Sequence, residues 1–325
     1  MKPFSDRTAS REPTGAPFRA GLPPLAGFPL LKGGGTTKLF PGFKPGRPAR
    51  DYGVLDPRLG RLGSLEVRLA VTAKEIRRAQ HLRFKVFYEE MSAVPSGASL
   101  LSRRDADEYD AICDHVLVLD HDVPSKPFRK PKPKVVGTYR LLRQEIADRH
   151  WGFYTAGEYD IAPLLKAHPD LRFLELGRSC VLKDYRTRRT VELLWHGVWT
   201  CILHHRMDVL IGCASLEGTD PDRLALPLSY LHHYAAAPEP WRARALGRRY
   251  VSMNRMSREA VDPKAALHAL PPLIKGYMRV GATFGDGAVI DGQFGTTDVF
   301  VVLPVSTISQ RYIDHFGPTA NRHAA

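Results

Sequence analysis

The sequence predicts an α/β (α+β) fold, a mixed central sheet with flanking helices and a C-terminal extension. Three observations carry that expectation. LEVRLAV (65–71) alternates like a strand, and Thr72 and Glu75 follow it as a T-x-x-E capping box that opens a helix. HVLVLD (115–120) and VVGTYRLL (135–142) read as the two strands of a hairpin. LRFLELGRSCVLKDYRTRRTVELLWHGVWTCILHHR (171–206) reads as a buried strand, a short basic loop and an amphipathic helix. That helix leads into the apolar strand VLIGCAS (209–215), which gives a right-handed parallel βαβ unit.

Taken in order, residues 1–63 are rich in proline, glycine and basic residues without sustained periodicity, and are expected to form a disordered basic arm. The folded domain is expected over 64–317, with a tail at 318–325. In the helix after Thr72, the residues Ile76, Ala79, Val86 and Phe87 share one face, and Arg83 lies on it. An arginine facing a core is costly unless carboxylates meet it. The polar loop that follows carries Asp105, Asp107, Glu108 and Asp110. KPFRKPKPK (126–134) is expected to be a solvated, extended hairpin tip, because proline donates no ladder bond. Residues 143–170 are read as short helical pieces around the mouth of a site.

Strict alternation along 171–182 would send Glu175 and Arg178 to opposite faces, and a bulge at Gly177 would change that. Val191, Leu194, Trp195, Val198 and Ile202 give the next helix its apolar face. A helix and loop are expected over 220–247, a strand at RYVSMNR (249–255) and a short helix opened by Pro271 and Pro272. DVFVVLPV (298–305) is the last strand, before a terminal helix. The glycines of GTYR and GATFGDG are read as turn residues.

The formal net charge of +13 implies an acidic partner. Basic residues are not interleaved with aromatics on one element, so no nucleic acid is expected. The cysteines 113, 180, 201 and 213 have no C-x-x-C spacing and are read as reduced thiols of a cytoplasmic protein. No apolar run approaches the roughly 18 residues that span a bilayer, and no secretory signal is expected. The pairs His204–His205 and His232–His233 are adjacent residues that point in different directions, so no metal site is expected. His115 and Asp120 match the H-x4-D spacing of glycerolipid acyltransferases, but an odd offset on a strand puts them on opposite faces. Walker, G-x-G-x-x-G and G-x-S-x-G motifs are absent, which disfavours nucleotide and serine-hydrolase chemistry.

The element order resembles the GNAT acyltransferase fold. RFKVFYEEM (83–91), the D-x-x-D of Asp107 and Asp110, TYRLL (138–142) and ELGRSCV (175–181) resemble acyl-homoserine-lactone synthases. In that family a helix arginine, two loop aspartates, a hairpin arginine, and a glutamate and arginine on the fourth strand form the key network. The matching positions are Arg83, Asp107, Asp110, Arg140, Glu175 and Arg178. ELGRSCVLKDYRTRRTVELLWHG (175–197), LPPLIKGYMRVGA (270–282) and FGTTDVFVVLPV (294–305) resemble more closely the ornithine N-acyltransferases of ornithine-lipid synthesis, grouped with hemolysin-labelled proteins. That resemblance covers about 65–317. It implies transfer of a 3-hydroxy fatty acyl group from acyl carrier protein to the α-amine of L-ornithine, giving lyso-ornithine lipid.

The resemblance also implies roles. The catalytic set is Glu175, as general base directly or through a water, Arg178 and Asp107, with a bulge N–H near Gly177–Arg178 as oxyanion donor and Arg140 or Arg178 holding the ornithine carboxylate. The substrate-binding set is Arg83, Asp110 and Arg140, with Asp107 and Asp110 meeting the cationic groups of ornithine. The loop 185–190 lacks the glycines with which acetyl-CoA enzymes approach a pyrophosphate, and offers Arg186, Arg188 and Arg189 instead. That suits the single phosphate of carrier-bound phosphopantetheine, so no cofactor is bound and acyl carrier protein is a co-substrate and partner. Tyr230 and Tyr234 are candidate acids. Arg242, Arg244, Arg248 and Arg249 are candidate docking points. Peripheral contact with the inner face of the cytoplasmic membrane is expected through the basic arm. The competing readings are an acyl-homoserine-lactone-type synthase and a non-enzymatic membrane-surface protein.

Overall fold

An eleven-stranded sheet organises the computed structural model, which describes residues 52, 54–91, 93–123 and 132–316. The arm up to residue 51, residues 124–131 with most of the basic tip expected over 126–134, and the tail from 317 lie outside the described residues. The sheet opens with a hairpin of β1 (Arg58–Leu62) and β2 (Leu65–Leu69). The domain therefore begins before the expected boundary at residue 64. Leu59 is buried, and the Tyr52 hydroxyl donates to Ala70 O at 3.0 Å. Helix α1 (Ala73–Phe84) starts at the expected capping box: Thr72 Oγ1 accepts from Glu75 N, and Glu75 Oε2 accepts from Thr72 N. It runs into a π-helical turn at Lys85–Glu90, a widened coil that recurs at functional sites.

A short helix α2 (Gly97–Ser102) and the acidic loop lead to β3 (Asp114–Asp120), which pairs with β4 (Lys134–Arg143). Around the mouth of the cleft lie α3 (Gln144–Ala147), a 3-10 turn at Tyr154–Gly157, β5 (Tyr159–Asp160) and α4 (Ala162–Ala167). Next come β6 (Phe173–Val181), α5 (Arg188–His205) and β7 (Val209–Glu217). The chain ends with α6 (Ala225–Tyr234), β8 (Arg244–Ala245), β9 (Tyr250–Val251), α7 (Pro263–Ala269) and α8 (Pro272–Arg279). These precede β10 (Thr283–Asp291), β11 (Thr296–Pro304) and α9 (Gln310–Phe316).

The strand order is β1-β2-β3-β4-β6-β7-β11-β10-β8-β5, with β9 alongside β10. The stretch expected as a C-terminal extension is thus part of the same sheet. Successive residues of β7 and β11 alternate between two apolar clusters. Leu210, Ala214, Val299 and Val301 join one, and Val209, Ile211, Phe300 and Val302 join the other. Cover on both faces explains why these strands read as near-continuous apolar runs.

Two sequence expectations are corrected. The strand expected over 249–255 shortens to Tyr250–Val251. Of the glycines read as turn residues, Gly281 does lie in a turn after α8, at φ +99°, but Gly137 lies inside β4, and Gly285 and Gly287 lie inside β10. Gly287 has a φ of +82°, and a Cβ there would strike the Tyr250 ring. Close packing by a neighbour, rather than chain reversal, selects that glycine.

The functional geometry comes from β6. Its parallel pairing with β7 covers only Phe173–Glu175 against Val209–Ile211, and beyond it the strands part. At the fork the Leu176 carbonyl presses on Gly212, where a Cβ would collide with its oxygen. Gly212→Ala should therefore lower stability by about 1–3 kcal/mol, the usual cost of overpacking. A shift of the urea midpoint of that size would confirm it, and an unchanged midpoint would show that the fork relaxes freely.

Candidate active site

The fork opens into a cavity of about 670 Å³. Glu175, Leu176, Gly177, Arg178 and Cys180 of β6 form one wall, and Cys213–Ser215 and Glu217 of β7 form the other. Val86, Phe87 and Met91 of the π-helical segment give it an apolar flank, together with Pro271, Pro272 and Leu273.

Behind this cavity lies a network of three arginines and three aspartates, so the formal charges cancel. Arg83 is 1% exposed and donates to both oxygens of Asp110 at 2.7 Å. Its Nε lies 2.8 Å from Asp105 Oδ2, a charge contact outside hydrogen-bond angles. Arg140 donates to Asp107 at 2.6 Å and to Asp110 at 3.3 Å. Arg178 reaches Asp107 at 3.2 Å and Asp105 at 3.3 Å. Gln80 donates to Asp110 at 2.9 Å, and Tyr88 donates to Asp105 at 3.2 Å. The Tyr154 ring lies 5.5 Å from the Arg140 guanidinium and 5.0 Å from that of Arg178.

The bulge needed to bring Arg178 to this side is present. Arg140 pairs with Gly177 and Thr138 with Cys180, so β6 carries one extra residue against β4. The conformational departure falls on Arg178 rather than Gly177, at φ 51° in the left-handed region. A non-glycine residue held there costs on the order of 1–2 kcal/mol, and its contacts with two aspartates oppose that cost.

Burial alone would raise the Asp110 carboxyl, but the charge and hydrogen bonds of Arg83, aided by His115 and Arg140, hold it well below the usual range. Burial would likewise lower Arg140 and Arg178, and the facing aspartates more than reverse it. Glu175 is different. Burial pushes its carboxyl up, although Thr155 and Tyr154 donate to it and Arg140 adds positive charge. Its Oε1 accepts from Thr155 N at 2.6 Å and its Oε2 from Tyr154 N at 2.9 Å.

Of the expected site residues, Arg140, Glu175, Arg178 and Arg186 line the cavity. Asp107 and Asp110 stand behind it as partners of Arg140 and Arg178, and Arg83 in turn holds Asp110 and Asp105. Asp107 and Asp110, expected to meet the cations of a substrate, each face arginines of the network here. Arg188 and Arg189 are exposed at the start of α5, outside the lining. Arg186 pairs with Glu90 at 2.6 Å and Arg188 with Glu192 at 2.6 Å. Tyr230 and Tyr234 stack on each other in α6, also outside the lining. The docking candidate Arg249 turns out to face Glu158 at 3.3 Å.

Sequence reasoning missed several lining groups. Tyr139 and Tyr277 share a 2.6 Å hydroxyl contact, and Glu158, Asp291, Asp298 and Cys213 also line the cavity. An aspartate heading the apolar strand DVFVVLPV was the available signal, since a charge in a buried strand asks for a reason. Among the described residues, no helix is long and apolar enough to cross a membrane.

The Acetyltransferase (GNAT) domain model matches residues 82–196, from α1 through α5, and the GNAT-like fold expected from the sequence is the fold observed. L-ornithine N(alpha)-acyltransferase of Brucella abortus is 53% identical over 81% of this chain and 92% of its own length. The protein of that name from Rhizobium meliloti is 51% identical over 82% and 89%, and that from Rhodobacter capsulatus 40% identical over 78% and 95%. Among solved structures, an N-acyl amino acid synthase from uncultured soil microbes has a TM-score of 0.41 at 11% identity, over 74% of this chain and 91% of that one. That likeness is too slight to argue from.

Removing one partner of a buried ion network leaves its neighbours uncompensated. Arg83→Leu should cost about 3–5 kcal/mol of stability, read from chemical denaturation. A loss under ~1 kcal/mol would mean that the aspartates are rehydrated. The depressed Asp110 carboxyl also predicts an acid limb. Its stabilisation is complete above its ordinary value of 3.8 and drains as pH falls towards the lower native value. The expected slope is about 1.4 kcal/mol per pH unit from this group, and denaturation midpoints measured from pH 5 downward would test it.

Proposed function

The chain belongs to the L-ornithine N(alpha)-acyltransferase family, and from that premise we propose that it transfers a 3-hydroxy fatty acyl group from acyl carrier protein to the α-amine of L-ornithine, giving lyso-ornithine lipid. The observation that carries the reading is the fork between β6 and β7. Backbone beyond Glu175 and Ile211 is released from the ladder there, beside one apolar flank and one charged wall.

The thioester lies along the released edge of β6, with its carbonyl oxygen against backbone N–H groups at the bulge. The acyl chain runs along Val86, Phe87, Met91 and Leu273. Arg178, whose side chain is 16% exposed against 5% for Arg140, meets the ornithine carboxylate. The incoming ammonium first loses a proton. Glu175 takes it, and the raised carboxyl makes it a better base than an ordinary glutamate. The amine nitrogen then attacks the carbonyl carbon, the C–N bond forms and the C–S bond breaks. The nitrogen sheds its second proton as the amide forms, and the departing thiolate takes it up, leaving as the thiol of the phosphopantetheine arm without a separate acid.

Arg186 at the cavity, with Arg188 and Arg189 at the start of α5, receives the phosphate of that arm and the acidic surface of the carrier. Complementary charge of this kind chiefly speeds encounter and fixes orientation. The reaction takes place in the cytoplasm, and the amphiphilic product favours peripheral contact with the inner membrane face.

The test is an assay of purified protein with 3-hydroxyacyl carrier protein and ornithine. Acyl-ornithine should appear, and the free CoA thioester should be the poorer donor. Glu175→Gln should lower turnover by about 10²–10⁴-fold and abolish the acid limb of the kcat/KM profile, with the melting transition retained. A fully active variant would remove Glu175 from the base role, and absence of transfer by the unsubstituted protein would overturn the reading.

A further inference from the structure

We propose that the carboxylates of Glu158, Asp291 and Asp298 form the seat for the side-chain ammonium of the acceptor, and so select an amino acid with a second, terminal amine. This rests on the acyl-transfer reading above and names the part of the cavity that reads the acceptor.

Glu158 stands just before β5, Asp291 closes β10, and Asp298 lies in β11. The chain brings them together on one wall of the cavity, where their oxygens lie within 4.8 Å of one another. Glu158 is only 5% exposed, and its Oε2 has no hydrogen-bond partner. Its Oε1 lies 3.3 Å from Arg249 Nη2. Asp298 is 8% exposed, and its Oδ1 accepts from Thr296 Oγ1 at 2.9 Å. Asp291, half-buried, accepts from Gln293 N and Phe294 N at 2.8 and 3.0 Å through Oδ1.

The charge here is less closely matched. Arg249 meets Glu158 at ion-pair distance, and Asp298 feels the charge of Arg178, an arginine already shared by Asp105 and Asp107, whereas the Asp105–Asp107–Asp110 group is neutralised one for one by arginines. Burial, and for Glu158 the charge of Asp298, push both of these carboxyls above the usual range. A buried orphan oxygen is expensive, and a cation placed among the three would satisfy it and relieve the repulsion together. A primary ammonium fits, because its three N–H donors diverge towards separate oxygens, whereas a planar guanidinium suits one paired carboxylate.

The seat is also close to the proposed base. Thr155 donates its N–H to Glu175 at 2.6 Å, while its hydroxyl lies 3.9 Å from Cys213 Sγ. Cys213 in turn interacts with Glu158. Two residues, Thr155 and Cys213, thus link the group that deprotonates the α-amine to the group that holds the other end. Both groups line the one cavity, as a short diamine requires, with three methylenes between the α-carbon and the terminal nitrogen in ornithine.

The experiment compares ornithine with norvaline, which has the same carbon chain but no terminal amine, at fixed 3-hydroxyacyl carrier protein. The unsubstituted protein should strongly favour ornithine. In Glu158→Gln and Asp298→Asn the ratio of kcat/KM for ornithine to that for norvaline should fall on the order of 10- to 100-fold, mainly through KM for ornithine. An unchanged ratio in folded, active variants overturns the proposal. If either buried variant fails to fold, Asp291→Asn at the half-buried position gives the same comparison. Calorimetry without donor makes the two readings separable. If the protein binds ornithine more tightly than norvaline and Glu158→Gln removes the difference, the seat stands even where no acyl transfer occurs. Equal binding of the two amino acids sinks it. Loss of ornithine preference on chelation, restored by magnesium or calcium alone, would assign the carboxylates to a divalent cation and overturn the ammonium reading.

Discussion

The neutral lattice of Arg83, Arg140 and Arg178 with Asp105, Asp107 and Asp110 is the constraint on which the active region depends. It ties four parts of the chain that the sequence separates: α1, the acidic loop, β4 and the bulged part of β6. Each member is shared by at least two others or held bidentately, so the geometry of one fixes that of the next. Buried ion pairs contribute little net stability compared with well-packed apolar groups, but they are intolerant of displacement. That intolerance is useful here, because Arg178 sits in a backbone conformation that a free chain avoids.

The two acidic groups near the cavity illustrate how environment, rather than residue type, assigns a role. Asp110 is surrounded by guanidinium groups and becomes a fixed anion of the scaffold. Glu158 and Asp298 are buried together, and burial with mutual repulsion outweighs the charges of Arg249 and Arg178 and pushes both carboxyls up. The net charge of the chain is strongly positive, yet this wall is locally negative. A positive net charge and a locally acidic recess are compatible, because a low-polarity interior separates the two fields.

Much of the fold was legible because it rests on local rules. Thr72 and Glu75 announced α1, the apolar face of α5 announced the βαβ unit, and the odd offset between Glu175 and Arg178 demanded a bulge. The failures share a cause. In β10 the residues Gly285, Asp286 and Gly287 break alternation, and the reason for the glycines is the approach of Ala243 and Tyr250 from elsewhere in the chain. Asp107 and Asp110 appeared available for a substrate because their arginine partners come from distant β4 and β6. The Glu158–Asp291–Asp298 group joins three segments that no local pattern connects. The sequence suggested which residues were chemically capable, and long-range pairing decided which of them were free to act.

The fork between β6 and β7 carries one more implication. The ladder stops at Glu175 and Ile211, and the next contact is a carbonyl pressed against a glycine. The opening of the cleft is therefore written in main-chain atoms, while its chemistry is written in side chains along the two walls. Aperture and selectivity are thus separate variables. A lineage can change which acyl chain or amine is welcomed without rebuilding the doorway through which both must pass.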